Sequence, residues 1–151
     1  YEANLHLGYI SYSRGRKSAA LKYYSRAHRA DPSAPLPCLS VASLYEKMGS
    51  ASDAVEWYRK ALGLKKTARS ERRKVYLSLM KILVQEGRLA EAAETASRGT
   101  EEFPSAGGLY YYWGEALLRQ GDRAGAREKF KTAADDPAWR KHALERFHSI
   151  G

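Results

Sequence analysis

LGYISYSRGRKSAALKYYSRA, residues 7–27, and WGEALLRQGDRAGAREKFKTA, residues 113–133, are two versions of one pattern. Each carries a large residue followed by a small one, then a glycine, an alanine, an aromatic ring and a second alanine at matching offsets. Two further copies lie between them. The glycines Gly15, Gly49, Gly87 and Gly121 are 34, 38 and 34 residues apart, and each has an alanine five positions later: Ala20, Ala54, Ala92 and Ala126. Nine positions after them stand Tyr24, Tyr58, Ala96 and Phe130, and twelve after stand Ala27, Ala61, Gly99 and Ala133. Eight positions before stand Leu7, Val41, Leu79 and Trp113, followed by Gly8, Ala42, Met80 and Gly114. A fixed period of this length marks a repeat architecture whose units bury their apolar faces on one another.

The offsets read as a pair of antiparallel helices around each glycine. Small residues let two helix backbones approach, and the large ones fill the space that remains. A glycine at the turn supplies the left-handed conformation that ends a helix. Pro32 and Pro104 stop second helices, while Ser50 with Asp53, and Asp122, are expected to cap their starts. The pattern predicts helices over 2–14, 17–30, 36–48, 51–64, 70–86, 89–102, 106–120 and 123–135. A last amphipathic helix is expected over 138–149, packed through Trp139, Ala143, Leu144 and Phe147 as a solvating end of the array.

These positions resemble the tetratricopeptide repeat (TPR) family. Leu7-Gly8, Ala20, Tyr24, Ala27 and Pro32 carry the likeness in the first copy. Tyr110, Trp113-Gly114, Leu117, Ala126, Phe130 and Ala133 carry it in the fourth. The resemblance implies an all-α fold, a TPR-type right-handed superhelical solenoid of four antiparallel helix pairs plus a C-terminal capping helix. The expected divisions are about 1–34, 35–68, 73–106 and 107–137 for the repeats and 138–151 for the cap. The third copy departs most, through Met80, Ala96 and Gly99, and the second lacks a terminal proline, with Lys66 at that place. Opening at Tyr1 instead of Met, the chain is expected to be a piece of a longer protein.

Composition agrees with a folded helical chain. Of 151 residues, 44% are hydrophobic, which is too many for a disordered segment, and the mean hydropathy is −0.59. No apolar run reaches the ~18–20 residues of a membrane span. One cysteine, Cys38, excludes an internal disulfide and a cysteine-only zinc site, and it falls at a core position. Cytoplasm and bacterial periplasm both remain open as compartments.

No catalytic constellation is legible, so a non-enzymatic chain without cofactor or metal is expected. His142 and His148 lie on different faces of one helix, and no serine stands in a nucleophile elbow. Gly107-Gly108 follows no strand and so does not form a phosphate loop.

The resemblance instead implies a concave groove lined by first helices that binds a partner protein or peptide. Its ligand-facing positions fall on Leu5, His6, Tyr9 and Tyr12, then on Leu39, Ser43, Glu46 and Lys47. In the third copy they fall on Lys74, Leu77, Ser78 and Lys81, and in the fourth on Tyr111, Tyr112, Glu115 and Arg119. TPR co-chaperones that clamp a C-terminal carboxylate carry lysine and asparagine where Leu5 and Tyr9, or Leu39 and Ser43, stand here, so that clamp is absent. The expected ligand is an extended or helical segment anchored on aromatic and aliphatic side chains, with Lys74 and Lys81 meeting acidic ones. Assembly of a larger complex, such as a bacterial envelope, secretion or pilus apparatus, is the implied setting. A regulatory TPR region of a larger multidomain protein is an alternative role.

Most of the net charge of +9 is spread over the helices, but one stretch concentrates positive residues. The longest spacing contains KKTARSERRK, residues 65–74, with six basic residues and one acidic. Lys65, Lys66, Arg69, Arg72, Arg73 and Lys74 form either a solvated ridge, a contact for nucleic acid or another anionic surface, or a nuclear-import signal. Ser70 or Thr67 is expected to cap the helix that follows. The oligomeric state is left open by the sequence.

Overall fold

The computed structural model describes residues 1–151 and is helical throughout, with two compact units, Tyr1–Arg72 and Arg73–Gly151. The first unit contains α1 (Glu2–Ser13), α2 (Lys17–Ala30), α3 (Pro35–Lys47) and α4 (Ala51–Gly63). Helix α5 (Arg69–Gln85) begins just before the boundary. The second unit continues with α6 (Leu89–Glu102), α7 (Gly107–Arg119), α8 (Arg123–Ala133) and α9 (Arg140–Ser149).

All four turn glycines adopt positive φ, between 70° and 86°. The N–H groups of Arg16, Ser50, Arg88 and Asp122 each donate to the carbonyl five residues back, on Ser11, Tyr45, Leu83 and Leu117, at 2.8–2.9 Å. This is the Schellman closure, repeated four times, and it explains why a Cβ-free residue stands at every turn. At the starts of the second helices the expectation holds only in part. Asp122 accepts the Gly125 N–H at 2.8 Å, but Ser50 makes no side-chain cap.

Within a pair, α1 packs on α2, α3 on α4 and α7 on α8. A Cβ added at Gly8 would sit 2.7 Å from the Tyr24 ring, and one at Gly114 would sit 2.8 Å from Phe130. The glycine and the ring therefore occupy one space between them. Ala20, Ala27, Ala54, Ala61, Ala92, Ala126 and Ala133 are all fully buried on the facing stripes. The third pair inverts the sizes. Met80 stands where the others have glycine or alanine, Ala96 stands where they have a ring, and both are fully buried. The bulk has moved from the second helix to the first.

The irregular spacing is absorbed by α5, whose 17 residues make it the longest helix. Neither Thr67 nor Ser70 caps it. Thr67 is buried, and its hydroxyl donates 2.6 Å to the Ala61 carbonyl, closing the end of α4, which lacks a terminal proline. The Arg72 guanidinium donates to the Leu62 carbonyl of the same helix end at 2.6 Å. Ser70 lies inside the first turn, and the Glu71 carboxylate accepts the Ala68 N–H at 3.3 Å.

Helix α9 begins two residues later than expected, because Asp136 and Pro137 first form a turn in which the Asp136 carboxylate accepts the Ala138 N–H. Phe147 and Ile150 pack with Phe130 and Ala126 of α8. Leu144 does not join them and is 38% exposed.

Candidate functional site

In the second unit the aromatic residues gather at one place. Tyr111 and Tyr112 on α7 meet Trp139 from the α8–α9 connection, with ring centroids 5.2 and 5.8 Å from the indole. The two tyrosines lie nearly perpendicular to each other at 5.4 Å, and His142 stands 6.3 Å beyond Trp139. These four rings and Ala138 line an open cleft of about 440 Å³. Behind Trp139 a small void of about 40 Å³ is lined by Arg73, Leu77, Ala106, Gly108 and Leu109.

The Gly107-Gly108 pair makes this arrangement possible. A Cβ on Gly108 would fall 2.8 Å from the Trp139 indole and 2.7 Å from Leu77. One on Gly107 would fall 2.4 Å from the Asp136 Cβ and 2.8 Å from the Ala133 carbonyl oxygen. With both glycines in place, the Gly107 N–H donates to the Asp136 carboxylate at 2.9 Å. A carboxylate from a distant loop thus satisfies the first turn of α7 and suits the positive end of its dipole. That contact fixes the loop bearing Trp139.

The electrostatics of the cleft follow from its partners. Burial raises the phenol pKa values of Tyr111 and Tyr112, and the Glu115 charge adds to it. Glu115 itself is bound by Arg146 of α9 in a two-pronged pair of 2.5 and 3.0 Å. That hydrogen-bonded pairing holds the guanidinium pKa above its ordinary value. Arg119 is likewise committed, donating to the Val84 carbonyl at 2.6 Å. On α5, Lys74 and Lys81 are exposed while Leu77 is half-buried.

Of the positions anticipated in the second unit, Tyr111 and Tyr112 therefore form one surface with two residues the sequence did not assign to it, Trp139 and His142. The signal that could have found Trp139 was the glycine pair, which leaves room on α7 for an incoming ring. Glu115 is turned to α9 and neutralised there.

In the first unit the anticipated residues divide. Leu5 packs against the cluster of Ala20, Tyr24, Val41 and Leu44. Tyr9 projects, 66% exposed. The Tyr12 hydroxyl accepts a hydrogen bond from the Lys47 ammonium, which also lies over the Tyr12 ring. Leu39 and Ser43 are half-buried. Leu7 and Ile10 of α1 are 42% and 39% exposed, whereas Val41 and Leu44, at the same register in α3, are covered by α2 at 0% and 2%.

In the basic segment, Lys65, Lys66, Arg69, Arg73 and Lys74 are exposed and Arg72 is half-buried. Lys66 reaches the Ser33 hydroxyl at 3.1 Å, and Arg73 lies 3.9 Å from Asp136.

The helix pairs, their repeated closures and their interlocking small and large residues define an all-helical repeat protein. Family models agree: one described as tetratricopeptide repeat matches residues 1–35 and 77–140, and a second of the same description matches 37–67. The chain belongs to the tetratricopeptide repeat family. No curated protein matches it in sequence. Among solved structures it is similar to MamA protein, with a TM-score of 0.83 at 18% identity over 99% of this chain and 79% of that one. It is similar also to MamA from Desulfovibrio magneticus RS-1 (TM-score 0.75, 18% identity, 99% and 92% coverage). A third likeness is to YrrB, described as a TPR protein with an unusual peptide-binding site (TM-score 0.74, 17% identity, 97% and 74% coverage). At these identities the likeness concerns the fold. No helix is long and apolar enough to cross a membrane.

Proposed function

We propose that this chain is a protein-interaction scaffold that binds a partner segment, and that the second unit provides its main contact in the cleft of Tyr111, Tyr112, Trp139 and His142. The observation that carries this reading is the cleft itself: ring surface gathered from α7, α9 and the α8–α9 connection, open to solvent and fixed by the Gly107–Asp136 hydrogen bond. Aromatic side chains supply large contact area at low entropic cost and keep polar tips for orientation. Lys74 and Lys81 add positive charge on α5, so apolar anchors flanked by acidic residues suit the surface. The peptide-binding site for which YrrB is described supports the same use of the fold. Assembly of a larger complex, as in a bacterial envelope, secretion or pilus apparatus, is a setting consistent with this role.

Selection of displayed random peptides on the intact chain tests the proposal. Recovered peptides are expected to share apolar and acidic positions and to lose binding to a Tyr112→Ala, Lys81→Glu variant whose far-UV circular dichroism is unchanged. Peptides that bind this variant equally well would remove the cleft from the function. Tyr111 is unsuited to the test because its ring also packs on Phe130, 5.5 Å away.

A second reading is favoured by the exposure of Lys65, Lys66 and Lys74: contact with nucleic acid or another anionic surface. Arg72 is occupied at the end of α4, which removes one of its charges from such a contact. Charge-driven binding would fall by orders of magnitude between low and physiological salt, and a flat response excludes it.

A further inference from the structure

Peptides reach helical surfaces in a few physical modes, and the second unit discriminates among them. A β-strand needs an unpaired sheet edge, and this unit consists of helices whose backbone groups bond internally. An amphipathic helix needs a continuous apolar trough several turns long. Leu77 of α5, however, shares the small void with Trp139, and the exposed Lys74 and Lys81 lie about one helical turn to either side of it, which interrupts any such trough.

What the cleft does present is a set of rings at steep angles to one another. Tyr112 and Trp139 are inclined at 69° and Trp139 and His142 at 61°, so successive faces and edges form steps. The Tyr112 hydroxyl and the Trp139 indole N–H have no hydrogen-bond partner within the protein. The cleft therefore combines stacking faces with two unpartnered donor groups, and no carboxylate lines it. A polyproline II segment matches this: its rings are compact and apolar, its carbonyls are unpaired and its conformation is formed before binding. Charge then selects the flanks. Glu115 is neutralised by Arg146 and Asp136 is engaged by the N–H groups of Gly107 and Ala138, while Lys74 and Lys81 remain exposed.

We propose that the Tyr111–Tyr112–Trp139–His142 cleft seats a proline-rich segment in the polyproline II conformation with acidic residues beside it. The proline rings stack on Tyr112 and Trp139. Peptide carbonyls accept from the Tyr112 hydroxyl and the Trp139 indole N–H, and the acidic flank meets Lys74 and Lys81. This assignment rests on the reading of the cleft as a peptide site and names its ligand class.

Three blocked peptides of equal length, each flanked by aspartates, provide the test: one with a polyproline centre, one with a glycine–serine centre and one with a helix-forming leucine–alanine centre. Calorimetric titration of the intact chain measures affinity, and the Trp139 indole resonance, assigned through Trp139→Phe, locates the site. The polyproline peptide is expected to bind at least about tenfold more tightly than the other two and to shift that resonance. Tyr112→Phe, which keeps the ring and removes the donor, is expected to weaken it about fivefold to tenfold. Equal binding of the glycine–serine peptide overturns the proline assignment. Binding of the helical peptide alone at Trp139 also overturns it and leaves the peptide-site reading standing. If no peptide binds, both fall.

Discussion

Gly108→Ala tests the idea that α7 carries a glycine pair in order to seat Trp139. In an ordinary helix interior this change gains up to about 1 kcal/mol from reduced backbone freedom in the unfolded chain. Here the new methyl would meet Leu77 at 2.7 Å and the indole at 2.8 Å. Comfortable carbon contacts begin near 3.5 Å, so these side chains must retreat by about 0.7 Å or more. Overpacking of this kind costs about 1–3 kcal/mol. Both neighbours are half-buried and can yield, so a net loss of about 1 kcal/mol is expected. The displaced Trp139 would also narrow the cleft. Gly63→Ala is the matched control, because a Cβ on Gly63 meets nothing within 4 Å, and it should gain a few tenths of a kcal/mol. Urea unfolding followed by far-UV circular dichroism compares the two. Adding Trp139→Ala to Gly108→Ala should cost less than the sum of the single changes, since one removes the obstacle the other creates. If Gly108→Ala proves as stabilising as Gly63→Ala and leaves the Trp139 indole resonance in place, the seating argument is wrong.

Three further predictions concern groups away from the glycine pair. The His28 ring lies edge-on to Trp57 at 5.0 Å with its Nδ1 unpartnered, and burial, assisted by the Lys60 charge, holds its pKa below 6.5. A base depressed in the folded state binds more protons when unfolded. Its stabilising effect is therefore full above about pH 6.5 and is lost as pH falls through the lower folded value, and His28→Phe should flatten that slope in urea titrations at several pH values. The Cys38 thiol is buried against the Trp57 carbonyl and burial pushes its pKa up to about 11, so Ellman's reagent at mildly alkaline pH should label it at the rate of unfolding. Immediate stoichiometric labelling of the native chain would contradict that burial. Glu115→Gln removes the charge from a two-pronged pair whose guanidinium is 37% exposed, so a loss of about 1 kcal/mol is expected after allowance for solvent screening. Faster amide exchange confined to α9 would locate the effect, and unchanged exchange there would show that Arg146 does not anchor the helix.

The turns and helix pairs were legible because each rests on a local rule. A glycine with positive φ, an alanine on a packed stripe and a ring opposite a missing Cβ all leave marks at fixed offsets. Capping was less legible, since serine and threonine hydroxyls have several acceptors within reach. The Ser50 hydroxyl makes no cap at its helix start, and Thr67 turns back to the end of α4, where no proline stands. The cleft was only half legible. Tyr111 and Tyr112 follow from position in the repeat, but Trp139 arrives from a connection whose course depends on Asp136 meeting the Gly107 N–H, 29 residues away in sequence. Charge counting also overstated the basic segment, because it cannot show that Arg72 closes a helix end.

The exchange of sizes between Met80 and Ala96 has a consequence for how such a chain can be rearranged. Whole helix pairs are self-consistent in volume, whereas single helices are not. A hybrid joining α5 to a ring-bearing second helix such as α8 would place methionine against phenylalanine, and one joining α7 to α6 would leave glycine facing alanine across a void. Recombination between repeats is therefore tolerated at the connections between pairs and penalised at the glycine turns within them. The third repeat is keyed differently from the other three, and that key limits where inheritance or engineering can cut and rejoin the sequence.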